Sequence, residues 1–578
     1  MKLSPFLRVL VAALVLPVVP VMACSSNDAD DVDEPTRDAG SSSGSQQPDG
    51  ALPPARDAGR TDASVGPDAA AEPCNEGEIR CTGNAVQACA RDAQGEWTFG
   101  AATHCGDYEA CGDGVCAAVP EEWKSRADIL REYALGVGER TGAPGVYDFD
   151  AIATAGIDVF YQYAALAPPT PDGGTADAGG ADAGGGGIPP IVYAFARGAR
   201  NIQLAVMQGH SNLQVIGCGS PTGPAWDTQS DYGVCATTSG DAALVTFAQP
   251  GNPMGLQAGD RIVSTSKVAG PSFLDELTKE PVCGSSVVSL SNRRASAAAS
   301  VFAITPPGEV LHVVAANGVA RDVTIPPRPA NAAATQWYCG SMFGDYETFE
   351  VRATLRPDGI AVLRLPAFAQ SAEHPFPQPL TQAGYEQWIS AYVDRLKTAL
   401  DSVAGARAYI WDARSNRGGS SEVGLAIVAG TPGAERETII QCGRRTRAST
   451  PFAFNPEIDF EIPDEDRLAV TGKVAVLVDG RAYSGGDIFA YAMRNHTSAR
   501  LFGTPTAGAF GFGGNAAVTV GTPVRMAYTA DGRRCTDMAG TPLEGHGVEP
   551  HELVEPTAAD LAAGRDTVLD AAVTWIGQ

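Results

Sequence analysis

An α/β core fold, carrying an inserted β-rich domain and preceded by a small disulfide-rich module, is predicted by three observations. From Tyr346 onward apolar strand-like runs alternate with one-sided helical runs, the mark of layered α/β architecture. Residues 236–327 are rich in short strand and turn signals, and residues 74–117 concentrate cysteine. Each prediction rests on its own stretch of chain.

In the core region IAVLRLPAF reads as a strand, GYEQWISAYVDRLKTAL as a helix and ARAYIWD as a strand. VAVLVDG is another strand, GGDIFAYAMRN a helix and ARLFG a further strand. This catalytic domain is taken as 338–578. Before it, residues 121–235 open with EEWKSRADILREYAL, in which Trp123, Ile129, Leu130 and Leu135 approximate a one-sided helix. A Pro/Gly/Ala/Asp run from 168 to 190 is low in complexity and reads as a surface loop.

In the β-rich domain, 236–327, the run GLQAGDRIVSTSKVAG is followed by a helical LDELTK and by the strands within GEVLHVVAANG and VARDVTIP. A Gly-Leu-x-x-Gly-Asp turn leading into a strand resembles a PDZ domain, whose sheet edge takes up an extended peptide by strand addition. A plain β-rich spacer accounts for the same signals.

The six cysteines Cys74, Cys81, Cys89, Cys105, Cys111 and Cys116 suit a module too small to stand on its core alone, and they admit fifteen pairings. Zinc is the rival reading, opposed by the export signal and by the lack of a CxxC pair. Residues 24–73 are Asp, Ala, Ser, Gly and Pro with few large apolar side chains; they cannot bury enough surface to offset ordering and form an acidic tether. Residues 1–23, with Lys2 and Arg8, an apolar stretch and Ala23 before Cys24, read as an export signal. The ending resembles a bacterial lipobox, which implies lipidation at Cys24 and attachment to the cell envelope. No other stretch has the ~18 apolar residues of a membrane span, so lipid is the expected membrane contact.

The chain holds 41 basic and 67 acidic residues, net −26, and losing Lys2 and Arg8 takes this to −28. Such a surface argues against nucleic acid and anionic lipid as partners. Of thirteen cysteines, setting Cys24 aside leaves an even twelve, as an oxidising compartment favours. Beyond the module, the simplest pairing joins sequential neighbours: Cys218 with Cys235, Cys283 with Cys339, and Cys442 with Cys535.

Chemistry is suggested where strands end. After Val474–Asp479 comes Gly480-Arg-Ala-Tyr-Ser484-Gly-Gly-Asp487, then a helix. Ser484 at a helix N-terminus sits beside unpaired N–H groups that favour developing negative charge. Ser484 with Asp487 is equally a capping box, which needs no catalytic role. After AYIWD the chain has Asp412-Ala-Arg414-Ser-Asn416-Arg-Gly418-Gly419, where paired glycines let backbone amides approach a reacting carbonyl, or simply make a tight loop.

Taken in order, D-x-R-x-N-x-G-G, V-x-V-L-V-D leading to S-G-G-D, G-T-P-T-A-G at 503–508 and E-G-H-G-V-E-P at 544–550 resemble the tail-specific and tricorn-core serine peptidases. The likeness spans 121–578 and includes the PDZ-like insertion. It implies a ClpP/crotonase-like layered α/β core, a Ser484 nucleophile, polypeptide substrates and no cofactor or metal. One branch activates its serine with a lysine in T-x-G-K downstream of it; here the match is Thr506-Ala-Gly508-Ala509, and Lys473 is the last lysine. The tricorn-like branch uses an early histidine, and Gly209-His210-Ser-Asn-Leu213 resembles its G-H-T-x-L. The resemblance thus implies His210 as general base, an imidazole being able to take and return a proton near neutrality. It further implies Glu544 as the acid that orients the histidine, and the N–H groups of Gly419 and Gly485 as an oxyanion hole.

Two departures stand out: the tricorn site has a second serine just before its histidine, whereas this chain has Gly209 before and Ser211 after, and Pro550-His551 replaces the usual Pro-Asp. Among the other histidines, His104, His312, His374 and His496 are poorly placed, while His546 and His551 lie in the segment expected near the site. Glu544, His546, His551 and Glu552 could also hold a metal, but HELVE is not HExxH. Two other functions stay open at this point: a peptide-binding scaffold lipoprotein that keeps the fold without turnover, and an acyl transferase or esterase using the same serine.

Overall fold

A computed structural model describes residues 72–141, 148–165, 190–207, 209–210, 212–215, 232–268, 272–281, 288–305, 307–327, 351–369, 375, 377, 381–445, 454–511, 515–519, 524–529 and 533–578. The export signal, Cys24, nearly all of the acidic tether and of the 168–190 loop, and Cys218, Cys283 and Cys339 with the two pairings that need them, lie outside the described residues.

The N-terminal module is a set of short antiparallel strands, Ile79–Thr82, Ala85–Arg91, Trp97–Phe99 and Thr103–His104, plus the hairpin Glu109–Gly112 with Val115–Ala118. So little of it is buried that covalent links must replace a core. They join Cys74 to Cys89, Cys81 to Cys111 and Cys105 to Cys116.

Three helices follow, Glu121–Thr141, Phe149–Ala165 and Pro190–Val206, around a core of Leu130, Tyr133, Ile157, Phe160, Phe195 and Ile202. The first helix buries Ala127, Leu130, Tyr133 and Ala134, with Trp123 packed alongside. Leu135, expected on the inner face, is exposed. Counting from Leu130, positions 127 and 134 share its face and 135 turns past it, so small Ala residues carried a signal that large apolar ones did not. The second and third helices cross where glycines meet: a Cβ on Gly198 would lie 2.6 Å from the Gly156 carbonyl.

The β-rich unit is a five-stranded antiparallel meander in chain order, Val234–Ser239, Ala242–Ala248, Arg261–Thr265, Val310–Val314 and Ala320–Thr324. Helices Phe273–Thr278 and Leu290–Ala299 pack on it through Phe273, Leu274, Leu277 and Ala298. Polar contacts hold it to the rest at several places, among them Ser239 and Gly240 on the Pro556 carbonyl and the Glu555 carboxylate. Glu280 accepts from Arg197 (2.7 Å) and Tyr193 (2.6 Å), and Arg200 donates to the Thr278 carbonyl (2.9 Å). At the start of helix Leu290–Ala299, Asn292 donates to the Gly480 carbonyl (2.9 Å) and Arg293 to the Leu204 carbonyl.

The core sheet has six strands in the order Arg352–Leu355, Ile360–Arg364, Ala408–Asp412, Lys473–Val478, Arg500–Gly503 and Glu552–Leu553. The first pair is antiparallel and the remaining pairs are parallel. Alternate side chains face opposite layers. Leu363, Trp411, Val476 and Val478 meet helices Gln382–Ser402, Ser421–Ala429 and Gly485–Asn495. Ile360, Ile410, Leu477 and Phe502 meet helix Thr567–Gly577. Burial on both faces explains why these strands read as continuous apolar runs.

Two smaller sheets flank the core. One joins Thr438–Arg445, Phe454–Glu461 and Arg533–Asp537 and carries the disulfide Cys442–Cys535, the expected pair. The other joins Asn515–Thr519, Val524–Thr529 and Asn212–Val215, so the strand just after residue 210 is anchored to a strand far along the chain. No helix among the described residues is long and apolar enough to cross a membrane.

Candidate active site

The strand Lys473–Val478 runs in the interior of the core sheet, between Ala408–Asp412 and Arg500–Gly503. Its exit turn ends at Ser484, which precedes helix Gly485–Asn495 with φ 58° and ψ −117°. A non-glycine residue at positive φ is strained and persists only where its surroundings over-determine it. Asp487 supplies much of that constraint. Its fully buried carboxylate accepts from the Ser484 N–H (2.9 Å), the Gly508 N–H (2.7 Å), the Ala509 N–H (2.9 Å) and the Thr506 hydroxyl (2.5 Å). Burial pushes this carboxyl up to about 6 against the pull of those four donors. One half of the serine–aspartate capping box is thus made by Asp487 on the Ser484 N–H, and the other half falls to the serine hydroxyl.

It faces His210, whose Nε2 lies 3.1 Å from Ser484 Oγ across 274 positions of sequence. His210 follows the helix Pro190–Val206 and a turn in which Met207 has φ 49°. Burial alone lowers the imidazole to about 4, so the neutral ring that can accept a proton prevails above that pH. Its Nδ1 is buried and has no hydrogen-bond partner among the described residues.

Glu544 reaches the histidine turn but not the ring. Its carboxylate accepts from the Gly209 N–H (2.7 Å) and the Gly511 N–H (2.5 Å), and burial raises it to about 7. The acid expected to orient the imidazole thus grips the backbone one residue earlier. Space explains the approach: a Cβ at Gly209 would lie 2.5 Å from the Ala509 Cβ and 3.0 Å from a Glu544 oxygen. A serine at 209 would not fit.

The glycine loop after Ala408–Asp412 lies directly against the serine turn. A Cβ on Gly418 would lie 2.4 Å from the Tyr483 carbonyl and 2.7 Å from Ser484 Cβ, and one on Gly419, at φ 119°, 2.1 Å from the Phe368 carbonyl. Only glycine fits at these two positions. Buried Asn416 ties the loop down, donating to the Leu365 carbonyl (2.7 Å) and accepting from the Gly418 N–H (2.8 Å), while its own carbonyl accepts from the Tyr483 N–H (2.8 Å). Arg414 is clamped between Asp412 and Asp566 beneath it. The N–H groups of Gly419 and Gly485 have no acceptor among the described residues, which leaves two donors beside Ser484.

The other histidines are engaged elsewhere. His104 meets Asp158, His312 meets Asp322, His496 meets Glu437, and His551 Nδ1 accepts the Leu501 N–H (3.0 Å). His546 joins the region through its backbone, which underlies Gly508, and His374 lies outside the described residues. Among the described residues the His/carboxylate group close enough to share an ion is Glu435, Glu437 and His496, not the 544–552 set. It sits at the far end of the helix that Ser484 precedes, ~18 Å along at 1.5 Å per residue.

Tyr483 was not singled out by sequence, and Asn416 was quoted in the glycine-loop motif without a role of its own. Tyr483 packs its ring 5.1 Å from the His210 ring and donates its hydroxyl to the Gly209 carbonyl. The signal available was an aromatic residue placed immediately before a helix-initiating serine.

Residues 359–554 match the family model of Peptidase family S41. Ser484, Gly419, Gly485 and Glu544 fall inside that span, and His210 outside it. No curated protein matches the chain by sequence. Among solved structures, mature CPAF is similar at 14% identity over 78% of this chain and 98% of that one, with a TM-score of 0.50. The photosystem II D1 C-terminal processing protease is similar at 13% identity over 80% of this chain and 98% of that one, TM-score 0.38. A chain from Parabacteroides merdae ATCC 43184 shares 19% identity over 39% of this chain and 64% of its own length, TM-score 0.31.

Proposed function

Proceeding from a chain that belongs, through residues 359–554, to the serine-type peptidases of family S41, the tail-specific proteases, we propose that it cleaves polypeptides with Ser484 as nucleophile and His210 as general base. The observation that carries this reading is the 3.1 Å separation of Ser484 Oγ and His210 Nε2. Proton transfer between two such groups needs heavy-atom separations of this order.

In the first half-reaction Ser484 Oγ attacks the scissile carbonyl carbon as its proton passes to Nε2. The C=O bond becomes a C–O⁻ facing the N–H groups of Gly419 and Gly485. Losing one such donor costs ~10²–10³ in rate, which makes the glycine loop as important as the base. His210 then returns the proton to the departing amine nitrogen, leaving an ester on Ser484. Water, deprotonated by the same ring, hydrolyses that ester and restores the hydroxyl. Glu544 acts on this scheme by holding the Gly209 N–H, and so the turn that presents the base.

The β-rich unit is proposed to be PDZ-like and to present extended substrate segments, taking them as an added strand at an open edge of its meander. The N-terminal segment is proposed to export the chain and to anchor it by lipid at Cys24 in a bacterial cell envelope. Metabolic incorporation of a fatty-acid probe that persists in Cys24→Ala would rule the anchor out.

A fluorophosphonate probe tests the catalytic reading. The expected outcome is labelling of the wild type that disappears in Ser484→Ala and falls at least about a hundredfold in His210→Ala, as for loss of a general base. Absence of labelling in the wild type, or labelling that survives Ser484→Ala, overturns it.

A further inference from the structure

We infer that Tyr483 is a positioning residue for His210, fixing the base to the same rigid turn that carries the nucleophile. This rests on the reading of Ser484 and His210 given above. It starts from a gap: the Nδ1 of His210, where serine peptidases of the triad type place a carboxylate, has no partner among the described residues. Among the described residues nothing polar at that nitrogen sets the ring's orientation. The contact to Ser484 Oγ holds Nε2 at one point only, and a single hydrogen bond does not fix a ring that can turn about two torsions.

Tyr483 supplies the missing constraints. Its ring lies 5.1 Å from the imidazole at an interplanar angle of 55°, a tilted packing that limits ring rotation. Its hydroxyl donates to the carbonyl of Gly209, the peptide group that enters His210. With the Gly209 N–H held by Glu544, the residue before the base is gripped on both sides. Gly209 needs this, because without a Cβ its backbone is the most mobile of any residue type, and packing against Ala509 forbids a larger side chain.

The frame holding Tyr483 is itself rigid. Its N–H donates to the Asn416 carbonyl (2.8 Å), its own carbonyl lies against Gly418, and its covalent neighbour Ser484 is tied down by Asp487. One side chain therefore transmits the position of the nucleophile turn to a base whose own chain segment arrives from a different part of the molecule. The hydroxyl proton is committed to Gly209, so it is not offered to a substrate oxyanion. Tyr483 accordingly acts through His210 and is not itself a catalytic residue.

The test is Tyr483→Phe in the full chain, which removes the hydroxyl and keeps the ring. Fluorophosphonate labelling rate and kcat for a peptide substrate should fall about tenfold, the worth of one hydrogen bond, while KM and the unfolding midpoint stay near wild type. A second readout is the acidic limb of the rate–pH profile. Among the described residues the titratable groups around the imidazole are Tyr483 against the ring, Glu544 on the preceding N–H and Asp487 beneath Ser484. Releasing the turn admits water to the ring, so the limb should move upward from about 4 toward the ordinary 6.5 of histidine. Tyr483→Leu, lacking the ring as well, should lose more activity and shift the limb further. A Phe variant with wild-type rate and an unmoved limb overturns the assignment. So does a fall in rate that merely follows a fall in unfolding midpoint with the limb in place. Where wild type labels, Ser484→Ala does not, and the Phe variant is unaffected, Tyr483 alone is refuted; where wild type fails to label, the reading of Ser484 fails first and this assignment with it.

Discussion

The two halves of the site are built in opposite ways. Ser484 leaves an interior strand of the core sheet whose Val474–Val478 segment is almost wholly buried, and it is fixed by one carboxylate that gathers four donors. His210 hangs between a helix end and a short strand of a flanking sheet. What holds it comes from far along the chain: Glu544 and Tyr483 on Gly209, and, on the helix before it, Glu280 on Arg197 and Arg293 on the Leu204 carbonyl. The serine half shares its supports with the core of the fold. The histidine half rests on supports that can fail singly while the core stays intact. Damage to the first should therefore cost stability and activity together, and damage to the second mainly activity.

Asp487→Ala gives the largest expected effect, because it breaks the serine half at its centre. Four donors, three of them buried and the Ser484 N–H partly so, lose their acceptor at once, and each buried unpaired donor costs ~1–3 kcal/mol. Relief of burying the carboxylate offsets part of this, which leaves a net loss of at least about 3 kcal/mol in denaturant unfolding. Labelling of Ser484 should fall with it, since the strained φ of 58° loses its support. Asp487→Asn, which keeps an acceptor oxygen, should fall between this variant and wild type on both measures. A stable Asp487→Ala protein that labels at the wild-type rate contradicts the division drawn here.

The same division explains what could be read from sequence. Ser484, Gly485, Gly418 and Gly419 follow apolar strands directly, so strand periodicity and glycine chemistry located them locally, and helix Gly485–Asn495 matches its expected span. Cys442 and Cys535 were paired correctly by order along the chain, whereas six cysteines crowded into the module left the pairing to the fold. His210 was reached through a resemblance, because a contact spanning 274 positions leaves no trace in periodicity. Tyr483 was invisible for a related reason: its meaning lies in Gly209, which no local pattern brings near it. Glu544 was selected, yet its contact differs from the expected one. Gly209 and Ala509 are both small and meet closely, which brings the carboxylate to the peptide N–H before the histidine. The histidine turn packs against Ala509 through Gly209, so these two small residues suit one another.

Glu544→Gln tests the histidine half with a smaller effect. Glutamine retains one carbonyl acceptor for the Gly209 or the Gly511 N–H but turns an amide toward the other, which costs about one hydrogen bond, so labelling should slow by about tenfold while the fold persists. Its more telling consequence is in the pH dependence of stability. The folded carboxyl sits near 7, above its ordinary 4.5, so between those values the folded state holds a proton that the unfolded state has released. Stability from this group is then full below about 4.5 and declines as pH rises through about 7. Asp487, raised to about 6 from 3.8, acts in the same sense at lower pH, and His210, lowered to about 4 from 6.5, acts in the opposite sense because its folded form binds fewer protons. The difference between variant and wild type removes both, and glutamine does not titrate. The variant should accordingly gain stability relative to wild type as pH rises from about 4.5 to about 7 and change little beyond it. A difference that is flat across this window would mean that Glu544 is already ionised in the folded protein at pH 5, and that the histidine turn is held by a charge rather than by a largely protonated acid.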